Sequence, residues 1–194
     1  NPRPDLGGAV PGDPLRQAEE EGLTQPYKSP LLDQQQDWAQ KQAENSGYRT
    51  VGIYAGALGW GYNTKLLADK KLKAPACWAD LLDPAFKGEI QIANPNSSGT
   101  AYNTLATLVQ IMGEDKAFDY LKKLNANISQ YTKSGSAPVK AAARGETTVG
   151  IVFMHDAVAM EVDGFPIKTV APCEGTGYEI GSMSIVKGAR NLAN

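Results

Sequence analysis

The first thirty residues show little periodicity. The run Asp5-Leu6-Gly7-Gly8-Ala9-Val10-Pro11-Gly12-Asp13-Pro14 is dense in Gly and Pro and predicts a loop. Leu15 to Glu21 predicts a short helix, which Gly22 ends by supplying a left-handed cap. Pro26 and Pro30 mark an extended stretch, and Leu31 to Asn45 reads as one very polar amphipathic helix with Gln34-Gln35-Gln36 on its wet side and Gly47 beyond its end.

From Tyr48 the pattern becomes one of alternating strands and helices. Thr50 to Ala55 is strand-like, and Gly56, Gly59 and Gly61 are expected to interrupt a second short strand carrying Trp60 and Tyr62. Asn63-Thr64 caps a helix through Leu72, and Trp78 to Pro84 predicts a single helical turn. Gly88 to Ala93 is a short strand, followed by the polar loop Asn94-Pro95-Asn96-Ser97-Ser98-Gly99-Thr100 and a long helix from about Ala101 to Met112. Glu114 to Leu124 places Ala117, Phe118, Leu121 and Leu124 on one helical face. A loop with Ser134-Gly135-Ser136-Ala137-Pro138 introduces a helix from Val139 to Arg144. Thr148 to Met154 is a continuous apolar run, as expected of a strand covered on both faces. His155-Asp156 follows, then a helix over Ala157 to Asp163, a strand over Ile167 to Ala171, and a last strand over Ile180 to Val186 with Glu179 at its entrance. This alternation predicts an α/β fold with a largely parallel sheet.

Composition narrows the function. Across 194 residues, 19 Lys and Arg stand against 21 Asp and Glu, so no broad basic field exists to hold a nucleic-acid backbone. No window approaches the roughly 18 consecutive apolar residues of a membrane span, so direct membrane insertion is not expected. Cys77 and Cys173 exclude a four-thiolate zinc site, and they read equally as a disulfide or as two buried thiols. His155 is the single histidine, which rules out a His-rich metal centre. There is no Gly-x-Ser-x-Gly elbow and no Walker-type phosphate loop, so no catalytic residue, metal ligand or cofactor is expected.

Ligands of open α/β sheets bind at the carboxyl ends of strands, where helix N-termini offer free N–H groups to anions. Ser97, Ser98, Gly99 and Thr100 occupy one such strand-to-helix junction, and Ser134, Gly135 and Ser136 occupy another, beside Lys133. Each is a candidate for a phosphate, carboxylate or sulfate, with plain helix capping as the bland alternative. His155 and Asp156 follow a buried strand and suit the hydroxyls of a polar small molecule; otherwise Asp156 simply caps the next helix. Glu179 is a further acceptor on position alone.

Several stretches carry a resemblance over nearly the whole chain. They are Glu20-Glu21-Gly22-Leu23, Tyr27-Lys28-Ser29-Pro30, Gly61-Tyr62-Asn63-Thr64, Trp78-Ala79-Asp80-Leu81-Leu82-Asp83-Pro84, Gly88-Glu89-Ile90, Asn94 to Thr100, and Ala143-Arg144-Gly145-Glu146. In this order they resemble the extracytoplasmic solute-binding proteins of the ferric-ion and polyamine type that feed ABC importers. In the ferric members an adjacent tyrosine pair ligates iron where this chain reads Phe153-Met154-His155-Asp156. Without phenolate donors a hard ferric ion is poorly served. His-Asp at that place, with Pro172 to Glu179, is similar instead to a subgroup that binds hexose phosphates.

The resemblance implies a periplasmic binding component of type II fold, with two lobes closing on a phosphorylated sugar and an inner-membrane ABC permease as partner. His155, Asp156 and Glu179 would hold sugar hydroxyls, while Ser97, Ser98, Thr100 and the Ser134–Ser136 loop would face the phosphate. It further implies an internal piece: residues 1–63 as part of the N-terminal lobe with the first crossing strand, 64–166 as a complete C-terminal lobe, and 167–194 as the return strand with more of the first lobe. The hinge is expected near Ala55–Gly59 and Val170–Gly175. A ferric-binding protein of the same family, a hydrolase using His155 and a serine, and an incomplete piece without ligand are the competing readings.

Overall fold

The computed structural model describes residues 5–10 and 12–191, and the chain divides into two compact units. The first comprises residues up to Gly56 together with those from Glu179 onward; the second is Ala57–Tyr178.

In the first unit, strand β1 (Leu6–Val10) is followed by helix α1 (Gly12–Glu20) and the short strand β2 (Thr24–Gln25). The glycine-rich start is therefore a strand where a loop was expected: Leu6, Gly7, Gly8 and Val10 pair antiparallel with Ile185, Ser184, Met183 and Ser182. Pairing across 172 or more residues overrides a weak local propensity. The helix expected over Leu31 to Asn45 is two pieces, a 3₁₀ turn at Leu32–Gln34 and helix α2 (Asp37–Asn45). Gln35 and Gln36 between them are extended, with ψ of 164° and 149°. Ala39 and Ala43 of α2 are its buried residues, and Gly47 follows with φ 59°.

Strand β3 (Val51–Asn63) runs unbroken through the glycines that were expected to interrupt it. Its first half belongs to the first unit and its second half to the second. The glycines serve close approach instead: a Cβ at Gly61 would stand 2.7 Å from Val139 Cγ2 and 3.0 Å from Ile167 Cγ2.

The second unit continues with helix α3 (Thr64–Asp69), whose first turn is capped by Asn63 Oδ1 accepting from Lys65 N and Leu66 N at 3.0 Å each. Then come 3₁₀ turns at Trp78–Leu82 and Pro84–Phe86, strand β4 (Ile90–Ala93), helix α4 (Gly99–Met112) and helix α5 (Glu114–Asn125). Strand β5 (Ile128–Thr132), helix α6 (Ala137–Ala143), strand β6 (Val149–Phe153), helix α7 (Met154–Val162) and strand β7 (Ile167–Val170) complete the second unit, and strand β8 (Tyr178–Val186), which belongs to the first unit from Glu179 onward, ends the order. The α/β class is as the alternation predicted, but β5 was not anticipated.

The sheet of this unit is mixed. β4 runs parallel to both β5 and β6, whereas β3 is antiparallel to β6 on one side and to β7 on the other. All five residues of β6 are buried, and their alternation divides the core. Val149 and Ile151 join Trp60, Trp78, Leu81, Ile90, Ile92, Leu108 and Leu124 on one face. Val152 joins Val139, Ala142, Ala157 and Ile167 on the other. A parallel strand covered on both faces is apolar throughout, which is why this one was readable. On α5 the buried positions are Ala117, Tyr120 and Leu124; Phe118, assigned to the core face by spacing, is exposed. Tyr120 takes that place because its hydroxyl donates to Trp78 O at 2.6 Å, giving the buried phenol a partner.

Candidate functional site

Three adjacent parallel strands, in the order β6-β4-β5, end on one edge of the second unit, and each is followed by a helix. That arrangement brings the starts of α4, α6 and α7 to the same edge. Ser97, Ser98, Gly99 and Thr100 lie at the first junction, Ser134, Gly135 and Ser136 at the second, and His155 and Asp156 at the third.

The first two junctions touch. A Cβ on Gly135 would stand 2.9 Å from Thr100 Cβ and 3.1 Å from Ser98 Oγ, and would overlap Thr100 Oγ1. Ser97 Oγ donates to Lys133 O at 3.1 Å, and Asn94 N donates to Thr132 O at 2.7 Å, so the β4 and β5 loops are laced together. Ser98 is the buried member; its Oγ accepts from Ala101 N at 3.5 Å, a long N-cap bond that leaves lone-pair capacity. Ser97 and Ser134 are exposed, while Thr100, Gly135 and Ser136 are half-buried. Ser136 stands at the N-cap position of α6 but makes no side-chain cap bond there. The Ser98 and Thr100 hydroxyls thus both lie against Gly135, and α4 carries no acidic residue in its first turn.

At the third junction helix α7 begins at Met154, earlier than the expected Ala157, so His155 and Asp156 lie within its first turn. The His155 ring stacks on Phe153 at 5.6 Å between centroids, and Nε2 lies 3.9 Å from Asp156 Oδ2. The N-cap residue of α7 is Phe153, whose side chain makes no cap bond, and Asp156 is the acidic residue of the first turn. Burial holds the Asp156 carboxyl above the ordinary carboxylate range, against the opposing pull of His155 and Lys140. A partly buried carboxylate beside a half-exposed imidazole has the chemistry to accept from hydroxyls.

Glu179 lies in β8, is buried, and belongs to the first unit, apart from the other nine candidates. A cavity of about 590 Å³ is also in the first unit, lined by residues such as Tyr27, Tyr48, Arg49 and Met183 and by none of the ten candidates.

Sequence reading missed one polar group that organises this unit. Glu174 accepts from Trp78 N at 2.7 Å and Ala79 N at 3.0 Å, and its neighbour Cys173 forms a disulfide with Cys77. The disulfide settles the open choice between bonded and free thiols. No local pattern announces Glu174, since its partners are 95 and 96 residues away.

An α/β unit with ligand-type chemistry along the carboxyl edge of its parallel strands is the architecture of a small-molecule binding lobe. The chain belongs to the family of bacterial extracellular solute-binding proteins, whose sequence model matches residues 2–194. It is similar to the periplasmic binding protein AfuA from Actinobacillus pleuropneumoniae, solved with exogenous fructose-6-phosphate bound, at 53% identity and a TM-score of 0.93, over 100% of this chain and 61% of that one. It is likewise similar to the periplasmic binding protein P5PA, at 44% identity and a TM-score of 0.91, over 100% of this chain and 61% of that one. An uncharacterized protein of Haemophilus influenzae is 50% identical over 195 residues, covering 100% of this chain and 56% of that protein. The chain thus spans about three fifths of the length of the proteins it matches.

Proposed function

We propose that this chain is the ligand-holding part of a periplasmic solute-binding protein that takes up a phosphorylated sugar, most simply a hexose phosphate, for an ABC importer in the inner membrane. Its contribution is binding rather than catalysis. The observation that carries this reading is the contact of Gly135 with Ser98 and Thr100, which merges two hydroxyl-bearing junctions into one surface for an anion. A phosphate dianion fits such neutral donors together with the N-terminus of α4, a helix of fourteen residues. His155 and Asp156, in the first turn of α7 directly after β6, the strand next to β4, supply the acceptors that sugar hydroxyls require.

The second unit is the complete lobe in this reading, and the first unit, with Glu179, is part of its partner lobe. The bound sugar phosphate of AfuA, a protein 53% identical over the whole of this chain, supports the same ligand class. Isothermal titration of the full-length protein with fructose 6-phosphate, glucose 6-phosphate, unphosphorylated fructose and ferric citrate tests it. Saturable heat with the phosphorylated sugars and none with fructose is expected. Heat with ferric citrate alone would overturn the proposal.

A further inference from the structure

The segment that returns from β7 toward β8 is tied to the second unit at an unusual number of points. Cys173 is bonded to Cys77, and Cys173 N donates to Ala76 O at 2.9 Å. Both oxygens of Glu174 are engaged, by Trp78 N and Ala79 N. Trp78 Nε1 donates to Gly175 O at 3.1 Å, Thr176 Oγ1 donates to Leu58 O at 2.9 Å, and Leu58 N donates to Gly177 O at 3.0 Å. Gly177 then rests against α4, where a Cβ would meet Thr107 Cβ at 3.1 Å and Asn103 Oδ1 at 3.3 Å.

The receiving loop is itself unusual. Four consecutive amides are satisfied by two carboxylates: Asp80 Oδ2 accepts from Ala76 N and Cys77 N at 2.8 and 2.9 Å, and Glu174 takes the next two. Asp80 is local, and its N–H partners hold its carboxyl below the ordinary range. Glu174 arrives from 95 residues away. A carboxylate delivered from that distance to cap a five-residue 3₁₀ turn is a poor way to stabilise the turn alone, since a local Ser or Asp would serve. It is a good way to fix the segment that delivers it.

We propose that Glu174 is a positioning residue, which together with the Cys77–Cys173 disulfide clamps residues 172–177 onto the 76–79 loop and so fixes the backbone from which the Glu179 strand departs. The disulfide sets the distance and the two charge-assisted hydrogen bonds set the orientation. The clamp ties most of the stretch expected as a hinge, Val170–Gly175, to the 76–79 loop of the same unit. The consequence for ligand rests on the proposed function; the clamp itself does not.

The experiment uses the full-length protein as wild type, Glu174→Ala, the Cys77→Ser/Cys173→Ser pair, and the triple variant. Hydrogen exchange is followed at the amides of Leu58, Trp78 and Ala79. The Leu58 amide donates to Gly177 O and so reports on the far end of the segment. About tenfold faster exchange at Leu58 is expected in Glu174→Ala, with a triple variant that exceeds the product of the separate effects, because each tie backs up the other. Faster exchange at Trp78 and Ala79 with Leu58 unchanged would reduce Glu174 to a cap on the turn and overturn the proposal. In parallel, the Kd for fructose 6-phosphate is expected to rise about fivefold in Glu174→Ala. A faster Leu58 amide with an unchanged Kd overturns the link to the ligand. A wild type that takes no fructose 6-phosphate overturns the proposed function instead, and the Leu58 amide then decides the clamp alone.

Discussion

Gly61 of β3 and Gly150 of β6 are direct register partners, and the two missing side chains leave a bare patch of sheet on which α6 and α7 sit. A Cβ on Gly150 would stand 2.5 Å from the carbonyl carbon of Pro138 and 2.6 Å from Val139 N, both backbone atoms in the first turn of α6. A Cβ on Gly61 would meet Val139 Cγ2 and Ala157 Cβ, at 2.7 and 3.1 Å. The close approach seats the first turn of α6, with Ser134, Gly135 and Ser136 just before it, on the second residue of β6. The pair therefore seats the helix that follows one of the candidate loops.

Gly150→Ala has no room to be accommodated by side-chain movement, because its neighbours are backbone. Overpacking of this kind costs about 1–3 kcal/mol, which for a domain of this size lowers Tm by roughly 2–10 °C. Thermal unfolding of the variant measures it. An unchanged Tm would mean that α6 shifts freely on the sheet and that the glycine pair does not seat it.

Gly135→Ala separates site geometry from stability. The residue is half-buried in a loop, its backbone is not in the left-handed region, and its new methyl would push on the Thr100 and Ser98 side chains. Tm should change little. Affinity for fructose 6-phosphate should fall about tenfold, equivalent to ~1.4 kcal/mol, as the two hydroxyl loops are forced apart. Titration calorimetry gives both the loss and its sign, and undiminished binding would remove this loop contact from the phosphate end.

What could be read from the chain depended on whether the deciding interaction was local. Strand β6 was plain because burial on both faces makes every residue apolar, and the helix start after β4 was marked by its Ser junction, whereas the start after β6 was expected at Ala157 although α7 begins at Met154. Strand β5 was not, because Ser129, Gln130 and Tyr131 are exposed and leave no apolar alternation to detect. Gly59 and Gly61 were misread as strand breaks because what a glycine faces is a tertiary fact; here it is β7 and α6. Phe118 and Tyr120 both fit a helical stripe, and only the carbonyl of Trp78 decides which is inside. The ten candidate residues include both loops that meet at Gly135, a glycine between two serines, yet nothing in the pattern tells that the loops touch. Glu174 lies in the Pro172–Glu179 stretch that carried the resemblance, but nothing there announced its partners 95 and 96 residues away.

The Cys77–Cys173 bond closes a loop with a sequence separation of 96. Loop-closure entropy for such a length, tempered by what engineered and native disulfides return, gives about 2–5 kcal/mol. At roughly 2–4 °C per kcal/mol, thiol reductant should lower Tm by about 5–20 °C, and the Cys77→Ser/Cys173→Ser pair should reproduce the shift without responding to reductant. A reductant-insensitive wild type whose two cysteines alkylate without prior reduction would show that the bond is not formed.

Under the proposed function, Asp156 couples stability to ligand binding with opposite signs. Burial holds its folded carboxyl above the ordinary range, while His155 and Lys140 pull the other way without cancelling it. The folded protein therefore binds this proton more tightly than the unfolded chain does, whose carboxyl titrates near ~3.9. The resulting stabilisation is complete below that value and is lost as pH rises through the raised folded value, so at neutral pH the ionised group is a burden on the fold. Asp156→Asn removes the burden but also a carboxylate acceptor for sugar hydroxyls. The variant should melt higher than wild type at pH 7 and alike at about pH 3, where both side chains are uncharged. Its affinity for fructose 6-phosphate at pH 7 should fall about tenfold. Melting curves at the two pH values and one titration at pH 7 suffice. A variant that is no more stable at pH 7 would show that Asp156 is not held at a cost, and one that keeps full affinity would show that the cost does not serve the ligand.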